Sequence, residues 1–224
     1  MPPKQVAVLF NILTCAVSAW VVFRPRPYGV AVVVAIVLPW VAIWLVATSE
    51  GNIHLVPKKG SREVNVAFGL FLPAIALTIR CASDYHLLNW KPAVELALMT
   101  GLVVGFVASR FETEDRRTVT TGIVLMVGCS LYGFGAWLAI NSIFDRAPAA
   151  NYSAQVVGKV RTRSEDGTAY KFQLARWGPD QTASQVKVRR SLFEETRIGD
   201  VVCIDVNQGR LAMPYYAVKR CADR

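Results

Sequence analysis

Thr118–Arg163 reads TVTTGIVLMVGCSLYGFGAWLAINSIFDRAPAANYSAQVVGKVRTR, and within this stretch the chain changes solvent. From Thr118 to Ile143 it carries no charge, and the run is long enough to cross a bilayer with some tilt. Asp145–Asn151 reads as a short linker. Beyond it, Tyr152, Ala154, Val156 and Val160 alternate with Gln155, Lys159, Arg161 and Arg163. Alternation of apolar and polar residues is the signature of a half-buried strand. One part of the chain is therefore adapted to lipid and the next to water.

Four more apolar runs precede this stretch: Gln5–Phe23, Tyr28–Ser49, Val64–Ile79 and Ala93–Ser109. A helix needs about 20 apolar residues to cross a hydrocarbon core. Val64–Ile79 is short, but the aliphatic stem of Arg80 can snorkel at its end. Glu95 is the one charge inside a run, and it stands near an end of its run, where burial costs little. Over the whole chain 18% of residues are charged, against about 25% in ordinary soluble domains. The expectation is a membrane bundle of five transmembrane helices over residues 1–145. The first run also has features of a secretory leader, with Lys4 ahead of it and Val17-Ser18-Ala19 as small-residue positions. Its continuation through Trp20–Phe23 favours a retained helix.

The strand pattern continues beyond Arg163. Ser164-Glu165-Asp166-Gly167 reads as a hairpin turn, because Asp-Gly favours one. Tyr170, Phe172 and Leu174 alternate with polar residues, and so do Val186 and Val188. Ser191–Thr196 reads as a short helical or irregular piece, followed by strands at Val201–Val206 and within Leu211–Cys221. Five short strands separated by turns predict a small all-β domain, a barrel or a sandwich, over residues 146–224.

Side chains inside the runs suggest how the helices pack. Gly101, Gly105 and Ser109 repeat every four residues, as do Gly135 and Ala139. Small residues at that spacing let helix backbones approach in lipid. The reading is a close pair formed by the fourth and fifth helices, with a homodimer face as the alternative. Two connections have a reading of their own: Asp84–Trp90 as an interfacial segment with Tyr85 and Trp90 at headgroup level, and Phe111–Arg117 as a solvated loop.

Orientation follows from loop charge. If the N-terminus faces the cytoplasm, that side receives Lys4, Lys58, Lys59, Arg62, Arg110, Arg116 and Arg117. The other side receives the smaller set Arg24, Arg26, Arg80, Lys91 and Arg146. Positive residues concentrate on the cytoplasmic side. That would place the C-terminal domain on the outer side of the membrane. Cys203 and Cys221 agree with it: in an antiparallel hairpin folded about Ala212 they would stand opposite each other, with Asp205 opposite Lys219. A disulfide there implies an oxidising compartment; two unrelated thiols are the alternative.

Lys159, Arg161, Arg163, Lys171, Lys187 and Arg189 fall on polar faces of three strands. Such a face could contact anionic lipid or polymer, or stay solvated. Nucleic acid is not expected, because Tyr170 and Phe172 fall on the inward alternation and leave no stacking platform. His54 and His86 are the only histidines and lie in different connections, which argues against a histidine triad or a zinc site. No phosphate-binding glycine loop is present. No cofactor and no enzymatic activity are expected.

Gly199–Tyr216 (GDVVCIDVNQGRLAMPYY), Pro57-Lys58-Lys59 and Tyr132-Gly133-Phe134-Gly135-Ala136 resemble segments of an uncharacterised family of bacterial polytopic membrane proteins. The resemblance implies several N-terminal helices and a C-terminal β domain, and brings no activity. The expected role is a non-catalytic module at the envelope, with the lipid bilayer, an envelope protein or a second copy as partners. The alternative is a subunit or accessory of a transport system.

Overall fold

A computed structural model describes residues 2–57, 64–113, 118–164, 167–179 and 185–221. The chain forms two compact units: Met1–Asp84 with Trp90–Ile143, and Tyr85–Asn89 with Phe144–Arg224. The first is helical and the second is a β domain. The five residues Tyr85–Asn89 leave the helical unit, join the β domain and return.

The helical unit holds α1 (Pro3–Phe23), α2 (Tyr28–Thr48), α3 (Ala67–Asp84), α4 (Lys91–Arg110) and α5 (Val119–Ile143). Of these, α1, α2, α4 and α5 are long and apolar enough to cross a membrane, while the apolar part of α3, Ala67–Ser83, is shorter. The third helix begins at Ala67 rather than at Val64 because the preceding residues are extended. His54 donates its backbone amide to Val64 and accepts from Val66, forming an isolated parallel bridge. Short as it is, α3 is central, packing against α1, α2 and α5, with Leu70, Ala74, Leu77 and Cys81 buried.

Glycines set the spacing. A Cβ on Gly105 would meet the Met126 backbone of α5 at 2.8 Å, and one on Gly101 would meet Ser130 and the Met126 carbonyl. The α4 stripe ends with buried Ala108 rather than with Ser109, which bonds back to the Phe106 carbonyl. Gly135 does not face α4 as the four-residue spacing suggests. It packs against Leu77 and Thr78 of α3, as Gly128 does against Phe71. Residues seven apart share a helix face, so Gly128 and Gly135 line the α3 side of α5, while Gly133 meets Thr100 on the α4 side.

In the β domain the strands are β1 (His86–Leu87), β2 (Ala150–Ser164), β3 (Gly167–Leu174), β4 (Gln185–Lys187), β5 (Val201–Asn207) and β6 (Tyr215–Arg220), with α6 (Arg190–Glu195) between β4 and β5. All neighbours are antiparallel in the order β1-β6-β5-β2-β3-β4, a nearly closed barrel. Among the described residues it has six strands, not the expected five. The sixth is β1, from the connection read as interfacial: Leu87 is buried, Leu88 donates to the Pro214 carbonyl, and Tyr85 packs edge-on against Tyr215. The core gathers Val156, Phe172, Leu174, Trp177, Val186 and Ile204, and Leu192 and Phe193 of α6 pack against it.

Two register details depart from simple alternation. The β2–β3 pairing passes from Val156↔Leu174 to Gly158↔Gln173, so Val157 is an extra, exposed residue. Such a bulge shifts one strand by a residue and exchanges its two faces beyond that point. In the closing hairpin, Cys203 pairs with Lys219 and Asp205 with Ala217, two residues away from a fold about Ala212. A two-residue slip preserves the face. Cys203 and Cys221 are therefore diagonal neighbours, and they form a disulfide with Cα atoms 4.8 Å apart.

Gly105→Leu should lower the thermal midpoint of the detergent-purified protein, at a cost of about 1–3 kcal/mol for overpacking. Gly122→Ala, where an added Cβ meets nothing within 4 Å, should leave the midpoint unchanged or raise it.

Candidate functional site

The six basic residues read from the sequence do not share one face. Beyond the Val157 bulge, Lys159, Arg161 and Arg163 align with Phe172, Tyr170 and Thr168, so they follow the inward side of the sheet. Lys159 is consumed there. Its ammonium donates to the carbonyls of Phe193 and Thr196 and lies 4.3 Å from the centre of the Phe193 ring. It ties α6 onto the end of the barrel and is not offered to a ligand. Arg161 lies over the Tyr170 ring, and Arg163 is exposed near the hairpin end.

Lys171 and Lys187 are directly opposed across β3 and β4, on the outward side. Arg189 follows Lys187 by two residues, with inward Val188 between them, and shares that side. Among the described residues, none of these three cations meets an acidic side chain.

The edge strands β1 and β4 are linked by a side chain. His86 Nε2 donates to the Lys187 carbonyl at 2.9 Å, and its ring packs against Tyr216. Burial holds the His86 imidazole below the ordinary histidine value; donation to Lys187 opposes this, and the Lys187 charge adds to it. Tyr216 also meets Trp177, which meets Tyr152, giving a run of aromatic contacts through the domain. At the linker, burial and the Asp145 carboxylate push the Tyr215 phenol up to about 12. Asp145 in turn accepts from the backbone amides of Ala147 and Gly209, which fixes the entry of the chain into β2.

The helical unit holds a polar cluster that periodicity did not reveal. Glu112, in the connection read as solvated, is 2% exposed. Its carboxylate accepts from the backbone amides of Leu55 and Val56 at 2.6 and 3.1 Å and lies 3.2 Å from His54 Nδ1. It thus clamps the α2–α3 connection to the end of α4. In the sequence Glu112 is one of three acids in Phe111–Arg117, with nothing in the local pattern to set it apart from Glu114 and Asp115.

Between α2, α4 and α5 lies a cavity of about 450 Å³, lined by Trp40, Thr100, Tyr132, Gly133, Ala136 and Trp137 among others. Its polar atoms bond within the wall: Trp40 donates to Tyr132, which donates to the Ile36 carbonyl, and Trp137 donates to Thr100, which donates to the Leu96 carbonyl. The lining is apolar in effect and offers an ion nothing to bind.

Among the described residues, no three His, Cys, Asp or Glu side chains converge. No family model, curated protein or solved structure matches the chain.

Removing the Glu112 carboxylate tests the clamp. Glu112→Ala leaves buried amides without their acceptor and should cost about 2–3 kcal/mol in thermal or chemical unfolding. Glu112→Gln keeps a carbonyl acceptor and should cost less.

His86 predicts a pH dependence. Its folded value lies below the unfolded value near 6.5, so the folded state prefers the neutral ring. Its contribution is complete above about pH 6.5 and is lost as the pH falls below that value. Melting midpoints between pH 8 and 5 should fall less steeply for His86→Gln, which keeps a donor without a titration, than for the wild type.

Proposed function

We propose that the protein is a non-catalytic, multi-pass protein of the bacterial inner membrane that presents its β domain at the periplasmic face as an interaction or assembly module. The Cys203–Cys221 disulfide carries this reading, since such bonds persist in oxidising compartments. Five spans are part of the proposal. With 18 residues at 1.5 Å each, α3 is about 27 Å long, close to a hydrocarbon core of roughly 30 Å. Its burial against α1, α2 and α5 supplies what its length lacks.

The sheet adds a topological argument. Strand β1 stands between α3 and α4, and β2 follows α5, yet both belong to one sheet. The end of α3 and the end of α5 then face the same side, as two crossings by α4 and α5 require. With α1, α2 and α3 all crossing, the N-terminus lies on the opposite side. By chain order the larger set of loop cations would fall on that same side, in line with a cytoplasmic position.

A role as a presenting module, rather than an ion path, draws on the helical unit. Its close glycine contacts suit a rigid anchor, and its cavity is apolar.

Reporter fusions test the orientation. Alkaline phosphatase fused to the C-terminus should be active in bacterial cells, and green fluorescent protein at the same position dark. Mass-tagging of denatured, unreduced protein should leave Cys203 and Cys221 unlabelled. A bright fluorescent fusion together with two labelled thiols would sink the periplasmic reading.

A further inference from the structure

The outward face of β3 and β4 carries a charge arrangement that costs the folded domain energy. Lys171 and Lys187 stand directly opposite each other. Side chains so placed have Cβ atoms about 4.5–5.5 Å apart, and like charges at that spacing repel. Arg189 adds a third cation on the same side, and among the described residues no acid compensates any of the three. Among the described residues the rest of this face is neutral. Val160 pairs with Lys171 from the other strand, Thr162 pairs with Ala169, and Gln173 and Gln185 pair next to the lysines. The result is a cationic sheet surface with small neighbours.

We infer that this surface, centred on Lys171, Lys187 and Arg189, docks the phosphate headgroups of anionic phospholipids. The inference rests on the reading of the chain as a membrane protein, and it deepens that reading by naming a partner. Three features choose lipid over other polyanions. The chain passes between the helical unit and the β domain three times, at Asp84–Tyr85, Asn89–Trp90 and Ile143–Phe144. On the membrane reading the domain is thus tethered to a membrane-spanning unit, which keeps lipid headgroups at a high effective concentration around it. The aromatic residues that a single-stranded nucleic acid would stack upon are absent from this face, since Tyr170 and Phe172 alternate to the other. Lysines act as point charges suited to many phosphate positions, as a fluid array of headgroups requires.

His86 supplies a local reporter, because its imidazole bonds the Lys187 carbonyl and feels the Lys187 charge. The experiment uses the full chain in nonionic detergent with isotope-labelled histidine, followed by NMR titration. The probes are dihexanoyl phosphatidylglycerol and, for comparison, the zwitterionic dihexanoyl phosphatidylcholine. The phosphatidylglycerol should move the His86 titration upward by roughly 0.4 of a pH unit, the effect of one charge about 8 Å away in a water-like dielectric. Phosphatidylcholine should not move it, and His54 serves as the internal control. In Lys171→Gln/Lys187→Gln the response to phosphatidylglycerol should vanish. Equal responses to the two lipids, or an undiminished response in the double variant, would overturn the inference. So would a response to polyphosphate or an oligonucleotide with none to phosphatidylglycerol. The lipid comparison is made on the wild type and stands even if the variant misfolds. Both faces of the protein are accessible in detergent, so a failed fusion experiment and a failed lipid titration are separate results.

Discussion

The pairing of His86 and Leu87 with Tyr216 and Tyr215 is the contact on which the organisation of this chain depends. It takes the short segment between two helices and makes it the edge of a sheet built almost entirely from the C-terminal third. Two residues of strand are weak on their own. They hold because Leu87 is buried, Leu88 bonds the Pro214 carbonyl and Tyr85 packs on Tyr215. His86 then reaches the opposite edge through Lys187, so a barrel with short edge strands exposes little unpaired backbone. The same pairing makes the sidedness of α3, α4 and α5 a single question rather than three.

Close approach governs the helical unit in a different way. In a bilayer, lipid would be as apolar as the helix surfaces, and association there would rely on contact and internal hydrogen bonding more than on expulsion of water. Gly101 and Gly105 admit the backbone of α5, and Gly128 and Gly135 admit α3. Where α4 ends, Glu112 meets the amides of Leu55 and Val56 and the His54 ring. A buried carboxylate is tolerated there because donors surround it, and it secures a connection that apolar packing alone would leave loose.

In the β domain one extra residue redistributes the charge. Val157 displaces the alternation of β2, turning Lys159 toward α6 and Arg161 onto Tyr170. What had seemed one basic face becomes two, with different chemistry. Of the inward set, Lys159 and Arg161 are spent on the protein's own carbonyls and rings, while Arg163 is exposed. The outward set, on β3 and β4, keeps its charges unopposed by acids among the described residues.

By itself the sequence determined the broad division of this protein: apolar helical runs, then an alternating β domain, with Cys203 and Cys221 on one face of the last hairpin. These features are local. They depend on composition and on periods of two or of about four residues, which survive even a two-residue error in hairpin register. Only the tertiary structure decided the rest: that β1 comes from a helix connection, that Gly135 serves α3 rather than α4, that Glu112 is buried, and that a bulge separates the basic residues. Each of these turns on which distant segment arrives opposite a given residue. That choice is made by the packing of the whole chain, and no window of neighbouring residues contains it.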